Sequence, residues 1–308
     1  MNIIITGACG HIGTFLAEKI RDVRNIKNIY LIDNFSSKNY NFFFKKKKIK
    51  KFKFHFIDIT KKNSLDIFKN IDVLIHCASM TNAAQSFNVK NEMFKNNIGC
   101  FKTVIDYCIK KKVKLIHLSS TSVYGKQTKI VDENCEKKFL KPQSPYAKIK
   151  ILEEEMLMKV SKKMKYITLR LGTISGVSDG IRFHTAVNKF CLNSALSIPV
   201  SVYKTALHQY RPYLSLSDAF KAIKFIIDRN FFRNEIFNIV TNNYTVNQIL
   251  EIIKIYKKNI KIKFVSSKIM NQLSYHVSKK KITRHGLKLS TSIQGEIKAT
   301  LKMLENIN

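Results

Sequence analysis

The stretch "NIIITGACGHIGTFLAEKI", Asn2 to Ile20, decides the fold of this chain. Three isoleucines run without polar alternation into Thr6, then into Gly7, Gly10 and Gly13, and the glycines open an apolar-periodic segment. A continuous apolar run marks a strand buried on both faces, as in a parallel sheet under helices. Glycine permits the tight turn and lets backbone amides approach a pyrophosphate, while the helix N-terminus adds its partial positive charge. Roughly twenty residues further on, the spacing expected for such a site, "YLIDN" places Asp33 where a carboxylate accepts the hydroxyls of an adenosine ribose. That carboxylate would repel a 2′-phosphate, so the pattern reads as a site for NAD rather than NADP. His11 and Ile12 inside the turn, and Asn34 after the carboxylate, join the candidate cofactor residues.

The same alternation continues outward. "IYLID", "KFHFID", "DVLIHC", "KLIHLSS" and "YITLRL" read as further buried strands, with helical patterns over His11–Val23, Asn88–Lys111 and Pro145–Lys163. Repeated strand–helix–strand units predict a doubly wound α/β fold of the Rossmann type. After residue 173 the pattern becomes mixed, with shorter elements. The expected division is therefore 1–172 for the dinucleotide-binding domain and 173–308 for a smaller α/β domain, mainly substrate-binding, some of whose elements return to the first sheet.

Composition narrows the classes. Of 55 basic residues only eight are arginine and 47 are lysine, giving a formal charge of +34. Lysine, asparagine and isoleucine together are what AT-rich codons encode, whereas a phosphate-gripping surface favours arginine for its bidentate fork. No nucleic-acid partner is expected, and a non-catalytic, nucleic-acid-binding Rossmann protein is the remote alternative. The run "KKKKIKKFK", Lys45 to Lys53, reads as a solvated connection between strands or as a patch for an anionic substrate, polymer or membrane. Six scattered cysteines, without C-x-x-C or ligand spacing, suggest reduced thiols in a cytoplasmic protein and no metal site. No window approaches the roughly 18 apolar residues of a membrane helix. The apolar start lacks a basic leader and turns into glycines, so it reads as a strand and not a signal peptide.

A second constellation carries chemistry. In "SPYAKIKILEEEM", Ser144 to Met156, Pro145 fixes a helix start. Tyr146 and Lys150, four apart, then share a face, while Lys148 points elsewhere. An ammonium beside a phenol stabilises its anion and fits it to exchange a proton with a substrate hydroxyl. Upstream, "KLIHLSSTSVYG" ends a strand in hydroxyls, and the carboxyl ends of parallel strands border the ligand crevice. Ser120 is thus placed to hydrogen-bond the oxygen that Tyr146 would deprotonate.

T-G-x-x-G-x-x-G, S-S-x-x-V-Y-G and P-Y-x-x-x-K in this order resemble the extended short-chain dehydrogenase/reductases, and within them the NAD-dependent nucleotide-sugar epimerases and dehydratases. The resemblance implies Tyr146 as acid/base, Lys150 on the nicotinamide ribose, Ser120 as the catalytic hydroxyl and Thr121 as a secondary candidate. It also implies Asp58 and Ile59 beside adenine, Cys77, Ala78 and Ser79 along the cofactor, and Asn97 on the following helix. Ser119 joins the cofactor set, and Thr81 the substrate set. "RPYLSLSD" implies Arg211 on the nucleotide diphosphate. The implied reaction oxidises a sugar hydroxyl to a keto group and returns hydride to the opposite face, for surface-polysaccharide precursors. Net redox or dehydration of the same substrates is the alternative.

Departures from the family pattern are local. The dehydratase signature T-D-E-V-Y-G has Thr121 and Ser122 at its two acids, which disfavours elimination of water. Thr173 replaces a common asparagine, and Leu273 stands where relatives carry a second phosphate-binding arginine. "SDGIRFHTAVNKF" offers Arg182, His184, Asn188 and Lys189 as substrate residues, or equally as the wet side of a helix; Arg182 is the candidate to replace the missing arginine. Asn88–Lys111 and Pro145–Lys163 resemble the helices through which relatives dimerise, so a homodimer is expected.

Overall fold

The computed structural model describes residues 1–308 except 22, 24, 45–49, 128, 267–274 and 306–308. Seven strands form one parallel sheet. From edge to edge they are Ile236–Ile239, Tyr166–Leu171, Lys114–Ser120, Val73–His76, Asn2–Thr6, Asn28–Asp33 and Phe52–Phe56. The six strands expected from the sequence are all present. Ile236–Ile239 joins them from far down the chain, beside Tyr166–Leu171.

The strand Asn2–Thr6 shows why apolar continuity signals this arrangement. Successive strand side chains point to opposite faces. Ile3 and Ile5 enter one apolar cluster with the helix His11–Ile20 and the helix Leu216–Asp228. Ile4 enters the other, with residues of the helix Lys90–Lys111 and the C-terminal half of the helix Pro145–Lys159. All three isoleucines are fully buried, and each such side chain contributes about 1.5–3 kcal/mol.

Helix ends differ from the sequence expectation by a few residues. The first helix stops at Ile20 rather than Val23, and the 90–111 helix starts two residues late, after a 3₁₀ turn at Gln85–Phe87. Pro145 opens its helix as expected, and Ser144 Oγ accepts from the Ala147 amide at 3.1 Å. That helix closes at Lys159, where Val160 N–H reaches the last carbonyls.

The remaining chain builds smaller sheets around a third apolar cluster. Thr173–Ser175, Tyr210–Ser215 and Asn242–Thr245 form one, and Val200–Tyr203 pairs with Ile262–Val265. His276–Val277 pairs with Ile130–Val131. Among the described residues no helix is long and apolar enough to cross a membrane.

Candidate active site

The glycine turn lies at the carboxyl end of the first strand. Gly7 has φ +65°, a region that side chains avoid, and a Cβ there would lie 2.6 Å from the Ala78 nitrogen. A Cβ on Gly13 would lie 2.2 Å from the Gly7 carbonyl oxygen. Thr6 and His76 join the two strands behind the turn, Thr6 Oγ1 and His76 Nδ1 lying 2.9 Å apart. Asp33, at the end of the neighbouring strand, accepts from the Cys9 amide at 2.9 Å and from the Phe35 amide at 2.8 Å. Each carboxylate oxygen keeps a further lone pair for a ligand hydroxyl.

Tyr146, Ser120 and Lys150 meet at the next strand ends. Ser120 Oγ accepts from the Ser122 amide at 3.2 Å and from the Ser122 hydroxyl at 2.9 Å, so its own proton is left to donate. The phenol of Tyr146 is its partner. Lys150 Nζ stands 5.8 Å from the centre of the Tyr146 ring. Burial pushes the phenol's pKa up; Lys150, Arg182 and Ser120 pull it down, Glu153 pushes it up, and the balance lies above the ordinary value. The lowering by Lys150 that helix spacing implies is present, but burial outweighs it.

Lys150 is itself buried and donates to Glu153 Oε2 at 2.7 Å, a partner that the sequence reading missed. The signal was a glutamate three residues after the lysine, hidden in the run Glu153–Glu155. Burial disfavours the Lys150 charge, and Glu153 reverses this and holds its pKa above the ordinary value.

Arg182 crosses from the segment after the sheet. Its Nη1 donates to Thr81 Oγ1, and Nη2 would lie 3.4 Å from a Cβ on Gly10. The segment 176–182 is strapped to the first turn of the 11–20 helix: Ser178 Oγ donates to the His11 carbonyl at 2.9 Å, and the Gly180 amide to Thr14 Oγ1 at 3.0 Å. Arg211 lies beside Tyr213 and Tyr275. Among the described residues neither guanidinium has a carboxylate in ion-pair contact, and burial lowers the pKa of both. Asp33 acts on Arg182 without ion-pair contact, so both half-buried cations are available to an anionic ligand.

Several candidate residues turn away from the crevice, because buried polar groups seek partners. His11 Nε2 meets the Gly176 carbonyl at 2.9 Å, and burial holds its pKa down at about 4. Asn97 clamps the backbone of Met80 with both ends of its amide. Asn188 does the same for Gly176 N and Arg182 O, so it supports the strap. Ser119 donates to Glu154 at 2.6 Å, and Thr121 to the Leu171 carbonyl at 3.2 Å. Asp58 accepts from the Thr60 amide and hydroxyl, Asn34 from the Ser36 amide, and Ile59 is buried. Ser79 donates to the Met80 carbonyl. Cys77, Ala78, Ile12, Thr81 and Thr173 are half-buried, with Cys77 and Ala78 against the glycine turn, and His184 and Lys189 are exposed. Leu273 and residues 45–49 of the lysine run lie outside the described residues. Among the described residues no group of three His, Cys, Asp or Glu is placed to hold a metal.

A dinucleotide fits this arrangement: Gly7 and Gly13 let the turn close where any Cβ would strike backbone, and Asp33 lies beside it. Comparison with known proteins agrees. Residues 3–240 match the model of the NAD dependent epimerase/dehydratase family. A trifunctional UDP-glucose 4,6-dehydratase/UDP-4-keto-6-deoxy-D-glucose 3,5-epimerase/UDP-4-keto-L-rhamnose-reductase of Arabidopsis thaliana is 26% identical over 97% of this chain. The chain spans 46% of that protein's length. An uncharacterized UDP-glucose epimerase of Bacillus subtilis is 25% identical over 78% of this chain and 76% of its own. Among solved structures, a UDP-glucuronic acid 4-epimerase of Bacillus cereus superposes with a TM-score of 0.87 at 21% identity, covering both chains fully. The UDP-glucose 4-epimerase of Thermus thermophilus, complexed with NAD, superposes at 0.84 and 19% identity, also covering both chains fully. With the family's model covering the glycine turn, the Tyr146 helix and the strand that closes the sheet, this chain belongs to the NAD dependent epimerase/dehydratase family.

Proposed function

We propose that the chain is a nucleotide-sugar epimerase using NAD. The observation that carries this reading is the convergence of Tyr146, Ser120 and Lys150 at the carboxyl edge of the sheet that also bears the glycine turn. When bound, NAD supplies reversible acceptance of hydride. The chain's own groups handle the proton. Tyr146 Oη takes it from a sugar hydroxyl, Ser120 Oγ–H steadies the same oxygen, and the Lys150 ammonium favours the phenolate. Proton and hydride both return to the sugar once it presents its other face, so the turnover has no net redox. Arg182 and Arg211 would neutralise the substrate's diphosphate.

Dehydration is not favoured by the side chains available. Thr121 spends its hydroxyl on Leu171 O, and Ser122 spends its own on Ser120, so neither position offers an acid for eliminating water. The exposed Phe94, Leu152 and Met158, on two helices packed together, support a homodimer. The thiols of Cys77, Cys100, Cys108, Cys135 and Cys191 support a reducing, cytoplasmic setting.

The test is to incubate the protein and NAD with single UDP-, dTDP- and ADP-sugars and follow the sugar by proton NMR. Appearance of an epimer without accumulating NADH is expected. Stoichiometric NADH during turnover would overturn the epimerase reading in favour of net oxidation.

A further inference from the structure

Behind Lys150 lies a polar chain that the proton transfer at Tyr146 leaves unassigned. Glu153 Oε2 takes the Lys150 ammonium at 2.7 Å and His117 Nε2 at 3.0 Å. Lys150, Glu153 and His117 are only 3%, 1% and 0% exposed. An ionised carboxylate only accepts, so His117 Nε2 carries the hydrogen and Nδ1 accepts from Thr168 Oγ1 at 3.2 Å. Thr168 and His117 sit opposite one another on adjacent strands of the seven-stranded sheet, which ties this end of the polar chain to the sheet.

Charges this deep are costly to bury and do not pair by accident. A core serving stability alone would be served as well by apolar side chains of similar volume. Lysine has three N–H donors; committing one to Glu153 fixes its rotamer and leaves two for the ligand side. We propose that Glu153, anchored by His117, is a positioning residue that holds the Lys150 ammonium beneath Tyr146 and tunes the phenol's ionisation through it. This deepens, and rests on, the proton-transfer role proposed for Tyr146.

The surroundings make the sign definite. On the phenol, the Lys150 ammonium outweighs the Glu153 carboxylate, so the intact pair favours the anion. Among the described residues, the other ionisable groups acting on the pair are neutral or already paired. Burial keeps His117 and His76 neutral and holds Cys100 as a thiol. Glu154 is matched by Arg170 at 2.7 Å. Arg182 acts on Tyr146 from across the crevice and is independent of Glu153. Removing the Glu153 charge leaves the buried Lys150 ammonium without the partner that offsets its burial. Lys150 then sheds its proton before the phenol does, and the phenol loses the cation that favours its anion.

The experiment titrates Tyr146 directly. Tyrosinate absorbance near ~295 nm follows phenol ionisation, and subtracting a Tyr146→Phe blank isolates this residue from the other tyrosines. In Glu153→Gln the midpoint is expected to rise by roughly one pH unit, as for loss of an opposite charge nearby. Glu153→Asp, which keeps the charge, should return it toward the parent value. Glu153→Met, apolar and of similar volume, should shift in the same direction as Gln and serves if Gln fails to fold. An unchanged or lowered midpoint in folded Gln and Met variants overturns the proposal. Absence of turnover with every nucleotide sugar would overturn the functional reading but would leave this titration standing.

Discussion

The Asp33 carboxylate accepts a hydrogen bond from the Cys9 amide at 2.9 Å, tying the end of one strand to the glycine turn that follows its neighbour. The carboxylate thus shapes the turn as well as facing the site expected for an adenosine ribose. Asp33→Asn removes the charge and keeps the size. NADH affinity is expected to fall by roughly ten- to a hundred-fold, the range for losing a charged hydrogen bond, while NADPH binding improves. Fluorescence titration with the two reduced dinucleotides compares them, and equal losses for both would show that Asp33 only braces the turn.

Two glycines separate backbone demand from mere smallness. Gly13→Ala drives a Cβ to within 2.2 Å of the Gly7 carbonyl oxygen, a backbone atom that cannot swing away. NADH binding should be lost and the melting temperature should drop. In Gly99→Ala, within the helix Lys90–Lys111, the new Cβ meets nothing closer than 3.7 Å. There the helix gains about 0.5–1 kcal/mol, so urea denaturation should show equal or greater stability.

Tyr146→Phe deletes one oxygen from a half-buried site and leaves the ring in place. Activity is expected to fall by about 10²–10⁴-fold, the usual contribution of a positioned acid/base. NADH affinity and melting temperature should stay near the parent values. Ser120→Ala should cost less, because the phenol and its ammonium remain.

Much of this site was legible because its signals are local. The Ile3–Ile5 run, the three glycines and Asp33 each state a backbone requirement that neighbouring residues cannot mask. The spacing of Tyr146 and Lys150 likewise followed from one helix start. What the sequence could not show is how buried polar groups share partners across elements. His11, Asn97, Ser119 and Asn188 sit in or beside family motifs, yet their side chains serve a carbonyl, a loop, a glutamate and the strap. Glu153 was unreadable for the converse reason. In "LEEEM" three glutamates look alike, and only the packed helix assigns one to Lys150, one to Arg170 and one to exposed Lys137. The strand Ile236–Ile239 was left unspecified because its pairing partner lies more than sixty residues earlier in the chain.

Buried histidines set the acid limit of stability. Burial holds His11 at about 4 and His76 at about 3, against 6.5 for an exposed imidazole. Both folded-state values are lowered, so below about pH 6.5 the unfolded chain takes up protons that the folded chain refuses. Their contribution is therefore complete above that pH and is lost as the pH falls toward 4. The slope is about 1.4 kcal/mol per pH unit for each such histidine. Glu296 acts in the opposite sense: burial raises it to about 7, so in the same window the folded state holds a proton that the unfolded state releases. Urea unfolding between pH 7 and 5 should show stability falling with acid, less steeply in His11→Gln and more steeply in Glu296→Gln. Parallel curves for all three proteins would mean that neither group is linked to folding in this range.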